Sequence, residues 1–202
     1  MTVSLIKQTS PGRLTVTFDS GEEIKTTLGV VTDMRLFSGK ELETAQADEF
    51  RLLSLRALSR EKALEYLSRR SMSRAELRKK LIEKGCGEDT ADYCVQWLTE
   101  NGLIDDESYA AAVARHYAAK GYGAGRIKGE LSKRGIDRDL WESALEAVPD
   151  SSGKIDKFIS SRLTDPEDRA QIGKVSQALY RRGYSWDEIR EALARFSAEA
   201  EE

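Results

Sequence analysis

The chain has 202 residues but only one histidine and two cysteines, and this scarcity excludes several kinds of chemistry. His116 has no second histidine with which to bind a metal, and no nucleophile with an evident base accompanies it. Cys86 and Cys94 lie outside the short spacings of zinc and redox motifs, so we expect buried, reduced thiols and no disulfide. We therefore predict a protein that is not an enzyme and that uses no cofactor or metal.

Long apolar runs are also missing from the sequence. No segment reaches the roughly 18 consecutive apolar residues that a membrane-spanning helix needs, and the first residues lack the apolar core of a signal peptide. We expect a cytoplasmic protein that makes no membrane contact.

Two short patterns resemble functional motifs but have simpler interpretations. The acids Asp105, Asp106 and Glu107 suggest a metal cluster, yet acids in this position are typical of the first turn of a helix, where Asp105 would be the cap. The glycine-rich segment 121–126 suggests a phosphate loop. It follows a predicted helix instead of a strand and lacks the Gly-Lys-Ser/Thr ending, so we interpret it as a turn between helices.

A repeat accounts for most of the chain. An apolar residue, a leucine four positions later and a glycine four positions after that recur as Leu77-Leu81-Gly85, Ile127-Leu131-Gly135 and Val175-Leu179-Gly183. The intervals are 50 residues (127 minus 77) and 48 residues (175 minus 127). Residues four apart share a helical face, and glycine ends a helix in the left-handed conformation without a Cβ clash. Each copy therefore predicts one helix with its stop signal.

Periodic runs before and after each copy predict three helices per unit, in three units. The predicted N-terminal caps are the Ser-x-x-Glu pairs Ser73/Glu76 and Ser185/Glu188, together with Asp105 and, for the helix that carries Trp141, Asp137. We predict helical units over residues 45–104, 105–150 and 151–202.

The first 44 residues have a different pattern. Residues 13–18 and 23–28 alternate around the break Asp19-Ser20-Gly21, which is a β-hairpin signature, and residues 3–7 can add a strand before Pro11-Gly12. We predict a small β-hairpin module over residues 1–44 that pairs with this strand or packs on the helix starting near Ala45. A packing appendage and a docking element are both consistent with these residues.

Charge is distributed unevenly along the chain, whose formal net charge is −3. From Arg51 to Lys84 there are eleven Lys and Arg against four Glu, a balance of +7, whereas residues 1–50 hold five basic and eight acidic residues. Aromatic residues interleave with the basic helices: Tyr66, Tyr117, Tyr122, Tyr180, Tyr184 and Trp186. Such faces can contact nucleic acid or an acidic protein surface, although solvated ion pairs and inter-helix packing explain single residues equally well.

One ordered set of segments points to a family. The segments are 73–77, 81–85, Gly102-Leu103-Ile104-Asp105-Asp106-Glu107-Ser108-Tyr109-Ala110, Lys120-Gly121-Tyr122-Gly123, Arg126-Ile127, Glu130-Leu131 and Gly135-Ile136. Together they closely resemble the RecX regulatory proteins of bacteria over about residues 57–148, and the rest of the chain resembles them loosely. The third unit has no counterpart of the Gly-Leu-Ile-Asp-Asp stretch.

The resemblance implies both a fold and a function. RecX proteins bind the RecA recombinase, chiefly as its filament on single-stranded DNA, and restrain its ATPase and strand-exchange activities in DNA repair, recombination and the SOS response. The implied fold is mainly α, with three tandem three-helix units in an elongated, curved array, here behind the β module. We expect a monomer that contacts RecA and its filament, with at most weak direct contact to DNA.

The predicted contact surface consists of basic and aromatic residues that flank the two best-matching segments: Arg70, Arg74, Arg78, Lys79, Lys120, Tyr122, Arg126 and Lys128. The alternative function, from a different class, is a helical-repeat regulator that binds DNA directly. A steep salt dependence of DNA affinity without any need for RecA would favour that alternative.

Overall fold

The computed structural model describes residues 1–149 and 152–200. Its contacts divide the chain into two compact units. One unit comprises Met1–Ser71 and Leu77–Ile104, and the other comprises Met72–Glu76 and Asp105–Glu202. The predicted boundaries after residues 44 and 104 stay predictions, and the boundary at 150/151 lies outside the described residues.

The first unit begins with a three-stranded antiparallel sheet. Strands β1 (Val3–Ser10), β2 (Arg13–Phe18) and β3 (Glu23–Thr27) lie in the order β1-β2-β3. Val16 on the central strand pairs with residues 6 and 24 on its neighbours. The predicted hairpin and its additional strand are both present, and the additional strand extends to Ser10.

A short helix that was not expected follows the sheet. Helix α1 (Leu28–Asp33) begins at the last residue of the predicted strand 23–28, and the Thr27 hydroxyl caps it by accepting a hydrogen bond from the backbone nitrogen of Val30. The turn buries Val30 and Val31 in the core under the sheet. β-Branched residues favour strands, and here burial overrides that preference.

The sheet packs on helix α2 (Thr44–Arg69), as predicted. Phe18 and Phe50 meet edge to face with ring centroids 5.9 Å apart, and both side chains are essentially fully buried. The predicted hairpin module therefore shares one hydrophobic core with the helix that follows it.

Helices α3 (Arg74–Glu83) and α4 (Glu88–Glu100) complete the first three-helix set with α2. The second set is α5 (Asp106–Ala119), α6 (Ala124–Lys133) and α7 (Trp141–Glu146), the last of which follows a 3-10 turn at Arg138–Leu140. The third is α8 (Ser152–Ser160), α9 (Arg169–Arg181) and α10 (Trp186–Ala200). None of the helices in the described part of the chain has the length and apolar content that crossing a bilayer requires.

The repeat has the structure that its spacing predicted. Its apolar pairs on α3, α6 and α9 are all buried, and the glycine after each helix has a positive φ: 86° at Gly85, 64° at Gly135 and 93° at Gly183. The mainly α fold with three tandem three-helix units is confirmed.

Most of the predicted caps are present. Ser73 with Glu76 and Ser185 with Glu188 form reciprocal capping boxes, and the Asp105 carboxylate accepts hydrogen bonds from two backbone nitrogens of the first turn of α5. The prediction for Asp137 is wrong. Its side chain makes no cap hydrogen bond, and the chain enters α7 through the 3-10 turn instead.

The scarce reactive residues occupy ordinary positions. Cys94 is fully buried, and burial raises the pKa of its thiol to about 11. Cys86 is only partly buried, against expectation, and lies 3.4 Å from the Ser59 hydroxyl; both thiols are free. His116 is exposed on α5 and meets Tyr117 edge to face.

Candidate interaction surface

The predicted contact residues are divided between the two compact units. Arg70, Arg78 and Lys79 belong to the first unit. Arg74, Lys120, Tyr122, Arg126 and Lys128 belong to the second.

In the first unit, Arg78 is paired with acids of another helix. Its guanidinium lies 2.5 Å from Asp92 and 3.1 Å from Glu88, both on α4. These hydrogen bonds lower the pKa of Asp92 and raise that of Arg78. A charge count over residues 51–84 misses these partners, because they follow the counted segment and approach only when α3 and α4 pack. Arg78 is therefore partly committed to holding its own unit together.

Lys79 differs from its neighbour. Its side chain is 79% exposed, and its ammonium lies 4.0 Å from Glu83, at the limit of an ion pair. Arg70 is also exposed, and its guanidinium donates to the carbonyl oxygen of Ser71. An exposed lysine with a distant acid keeps most of its charge available to a binding partner.

In the second unit, Arg74 is tied to a buried acid. The Asp106 side chain is 5% exposed and accepts a hydrogen bond from the backbone nitrogen of Arg74 at 2.9 Å and another from its Nε at 3.1 Å. Asp137 lies 3.8 Å from the same guanidinium. The acidic triplet 105–107 thus supplies an N-cap and an anchor for Arg74 in place of metal ligands. Among the described residues, no group of three or more His, Cys, Asp or Glu is arranged to hold a metal ion.

Arg126, another of the predicted contact residues, belongs to a charged cluster around Glu130. The Glu130 side chain is 8% exposed and accepts hydrogen bonds from Arg134, Lys133 and the Tyr117 hydroxyl at 2.8, 3.0 and 3.0 Å. Arg126 approaches the same carboxylate at 3.3 Å. The hydrogen bond from Arg134 is the first cause, and that from Lys133 the second, of a Glu130 pKa lowered to about 2.

The remaining predicted residues of the second unit lie around the turn between α5 and α6. Lys128 pairs with Glu142 at 2.7 Å. Tyr122 is partly buried, with the Arg126 guanidinium 5.8 Å from its ring centroid. Lys120 is exposed and forms no ion pair with any described residue; its ammonium lies 5.8 Å from the Tyr117 ring centroid. Residues 121–123 of the glycine-rich segment form a turn between two helices, as predicted, and residues 124–126 begin α6.

The aromatic residues divide by burial. Tyr66 and Tyr184 are buried, and Tyr117 and Tyr122 are partly buried, so these four contribute mainly to packing. Tyr180 and Trp186 are more than half exposed. The sequence places all six in one set, because spacing alone does not separate exposed aromatic residues from buried ones.

Comparison with known proteins agrees with this architecture. Family models described as the first, second and third three-helix domains of RecX match residues 60–98, 105–145 and 161–193. The regulatory protein RecX of Xanthomonas axonopodis pv. citri is 38% identical over 142 residues, which cover 69% of this chain and 87% of that protein. The regulatory protein RecX of Pseudomonas entomophila is 33% identical over 141 residues, covering 67% and 89%.

Solved structures show the same similarity. A crystal structure of a regulatory protein RecX superposes with a TM-score of 0.73 at 26% identity, covering 94% of this chain and 97% of that one. RecX from Lactobacillus salivarius superposes with a TM-score of 0.65 at 28% identity and covers 71% of this chain. Three RecX domain models match the chain in order, and each matched range contains one buried apolar pair of the repeat. This chain therefore belongs to the RecX family of regulatory proteins.

Proposed function

We propose that this protein binds the RecA recombinase and its filament on single-stranded DNA and lowers the ATPase and strand-exchange activities of RecA. The observation that carries the proposal is the ordered match of all three RecX domain models to residues 60–98, 105–145 and 161–193. The protein acts in DNA repair and recombination in the cytoplasm, as a monomer and without catalysis of its own.

Tandem units suit a repetitive partner. Each three-helix unit can contact a successive part of a helical filament, and several weak contacts on one chain bind more tightly than one contact alone. A regulator of this kind needs surface charges and shape complementarity, and no reactive group.

The predicted contact residues contribute unequally to this surface. Arg74, Arg78 and Arg126 pair with acids of their own unit, so replacing them disturbs the fold as well as any interface. Lys79 and Lys120 are exposed and only weakly engaged, and they supply the sharper test. Exposed basic side chains facing an acidic surface contribute mainly to orientation and association rate.

The experiment measures RecA-catalysed ATP hydrolysis on single-stranded DNA with substoichiometric amounts of this protein. The unchanged chain should lower the rate, and the double variant Lys79→Glu/Lys120→Glu should lower it less. Lys7→Glu/Lys25→Glu is the matched control, because it makes the same charge change at exposed residues of the sheet. A rate unaffected by the unchanged chain refutes the proposal; equal inhibition by both double variants places the contact elsewhere.

The second candidate is a regulator that binds DNA directly, and the exposed aromatic pair Tyr180 and Trp186 favours it. The net charge of −3 weighs against tight binding through charge alone. An effect of this protein on reactions of DNA when no RecA is present would favour this candidate over the first.

A further inference from the structure

An exposed aromatic pair flanks the turn between α9 and α10. Tyr180 and Trp186 are stacked, with ring centroids 5.0 Å apart and ring planes inclined by 17°. Their exposed fractions are 53% and 51%. They are the large hydrophobic side chains that the described residues of the second compact unit expose. Two aromatic rings held together in solvent are typical of a recognition surface.

A groove of about 490 Å³ lies beside Tyr180. One wall is the start of α6 and the other is the turn after α9; the lining includes Gly125, Arg126, Arg181, Gly183 and Ser185. The backbones of the two walls are joined, because the nitrogen of Gly125 donates to the carbonyl oxygen of Gly183 at 2.9 Å. The turn beside the aromatic pair is therefore hydrogen-bonded to the start of α6.

The lining of the groove contains two arginines and one acid. Arg126 and Arg181 line it together with Glu188, and the other lining residues are uncharged. The Nε of Arg181 donates to the carbonyl oxygen of Gln177, and within the described residues Arg181 has no acidic partner. Its charge is available to a ligand.

The acids that follow Trp186 are already engaged. Glu188 accepts a hydrogen bond from the backbone nitrogen of Ser185 at 2.7 Å in the capping box of α10. Asp187 pairs with Arg190. The groove thus combines tyrosine side chains, two exposed arginines and one carboxylate, Glu188, which is hydrogen-bonded within the cap of α10.

We propose that Tyr180 and Trp186 form a stacking platform for unpaired bases of single-stranded DNA, whose adjoining phosphate is bound by Arg181. Bases stack on exposed aromatic rings regardless of sequence, and arginine binds the adjoining phosphates. Duplex DNA does not use such a platform, because its bases already stack on one another. Exposed Tyr, Trp and Arg are also typical contact residues for a protein partner, which the experiment below distinguishes from single-stranded DNA.

The choice of DNA over RNA rests on the proposed function, since stacking and charge do not distinguish the two sugars. The test itself uses no RecA. A failure of the platform and a failure of RecA regulation therefore appear in different measurements.

The experiment measures binding of a fluorescent oligothymidylate to the full chain at low salt, by anisotropy. The double variant Tyr180→Ala/Trp186→Ala should bind at least about fivefold more weakly, since loss of one stacked base is worth at least this much. Tyr180→Phe/Trp186→Phe keeps both rings and should bind as the unchanged chain does. Phe37→Ala removes an aromatic ring that is 62% exposed, more than either ring of the pair, from the first unit and is the control.

Two further readouts are specific to stacking and charge. The oligonucleotide should quench tryptophan fluorescence, and Trp186→Phe should abolish the quenching while Trp97 and Trp141 remain. Arg181→Ala should reduce the salt dependence of binding by about one phosphate contact.

Several results would overturn the platform. These are undetectable binding by the unchanged chain, equal affinity of the Ala double variant, or equal quenching by a duplex of the same length. A double variant that loses RecA inhibition but keeps its oligonucleotide affinity would assign the patch to a protein contact. Tighter binding of an oligouridylate than of the oligothymidylate would reject DNA as the ligand.

Discussion

The backbone nitrogen of Gly125 donates a hydrogen bond to the carbonyl oxygen of Gly183 at 2.9 Å, across two segments of the second compact unit. A second backbone hydrogen bond joins Gly123 to Arg182 at 3.0 Å. Both contacts bring the turn after α9 against the start of α6. A backbone approach this close leaves no room for a Cβ atom at Gly123 or Gly183.

The same positions of the repeat are in contact once more in this unit. Ser73 precedes Leu77 as Gly123 precedes Ile127, and Arg134 precedes Gly135 as Arg182 precedes Gly183. The Ser73 hydroxyl donates to the carbonyl oxygen of Arg134. The same contact therefore occurs at two places in this unit. In each, the start of one repeat helix donates a hydrogen bond to the glycine turn that ends the next repeat helix.

The first prediction is that Gly183→Ala is strongly destabilising. A Cβ at residue 183 would lie 2.2 Å from the backbone nitrogen of Arg126, and the φ of 93° is unfavourable for alanine. The left-handed conformation costs about 1–2 kcal/mol, and separating the segments loses two hydrogen bonds worth about 1 kcal/mol each. We expect a loss of about 3–4 kcal/mol in the free energy of unfolding, measured by urea denaturation followed by circular dichroism.

Gly85→Ala is the matched control, since Gly85 has the same repeat position and a φ of 86°, but no atom lies within 4 Å of a Cβ built there. The free energy of unfolding of Gly85→Ala should fall only by the conformational cost of about 1–2 kcal/mol. Gly123→Ala isolates the contact, because the φ of residue 123 is −83° while its Cβ would lie 2.5 Å from the Gly183 oxygen. Equal losses for Gly183→Ala and Gly85→Ala would contradict the tight packing.

Local sequence signals predicted the helices of the repeat and most of their ends. The repeat stripe, the serine capping boxes and the stop glycines each depend on residues within four or five positions, so spacing alone reveals them. Burial overrode the strand preference of Val30 and Val31, and a 3-10 turn displaced the cap expected at Asp137. These departures depend on tertiary packing, which a local pattern does not contain.

The candidate surface was less predictable. The basic character of residues 51–84 is evident from sequence, but the partners of Arg78 lie on the following helix and become visible only in the fold. Gly183 fits the pattern of a helix stop, and nothing in that pattern shows that it also contacts Arg126. Exposure of Tyr180 and Trp186, and burial of Tyr66 and Tyr184, likewise depend on how the helices pack.

The second prediction compares two capping serines. Ser73 is fully buried, and its hydroxyl both accepts from the Glu76 backbone nitrogen and donates to Arg134. Ser185 has the same capping box but is exposed. Ser185→Ala should cost about 1 kcal/mol, the usual value of a cap, and Ser73→Ala about 2–3 kcal/mol, because a carbonyl group also loses its donor.

Thermal and urea unfolding of the two variants measure this difference. If Ser73→Ala costs no more than Ser185→Ala, the hydroxyl bond to Arg134 contributes nothing beyond the cap.

The third prediction concerns pH. The hydrogen bond from Arg134, followed by that from Lys133, lowers the pKa of Glu130 from an ordinary 4.5 to about 2. A carboxylate whose pKa is lower in the folded state binds fewer protons there than in the unfolded chain. Its contribution is therefore complete above about pH 4.5 and is lost as the pH falls toward 2. Glu130→Gln should destabilise the protein by about 2 kcal/mol at pH 7, and the difference from the unchanged chain should shrink between pH 5 and pH 2.

Glu142→Gln is the control for this experiment, because Glu142 also pairs with a lysine, at 2.7 Å, but its side chain is 74% exposed. An exposed ion pair is worth at most about 1 kcal/mol, so this variant should stay close to the unchanged chain at every pH. Urea unfolding at pH 7, 5, 4 and 3 measures both variants against the unchanged chain, which cancels the titration of all other carboxylates. A Glu130→Gln deficit that stays constant across this range would show that the loss comes from packing and not from the charge of Glu130.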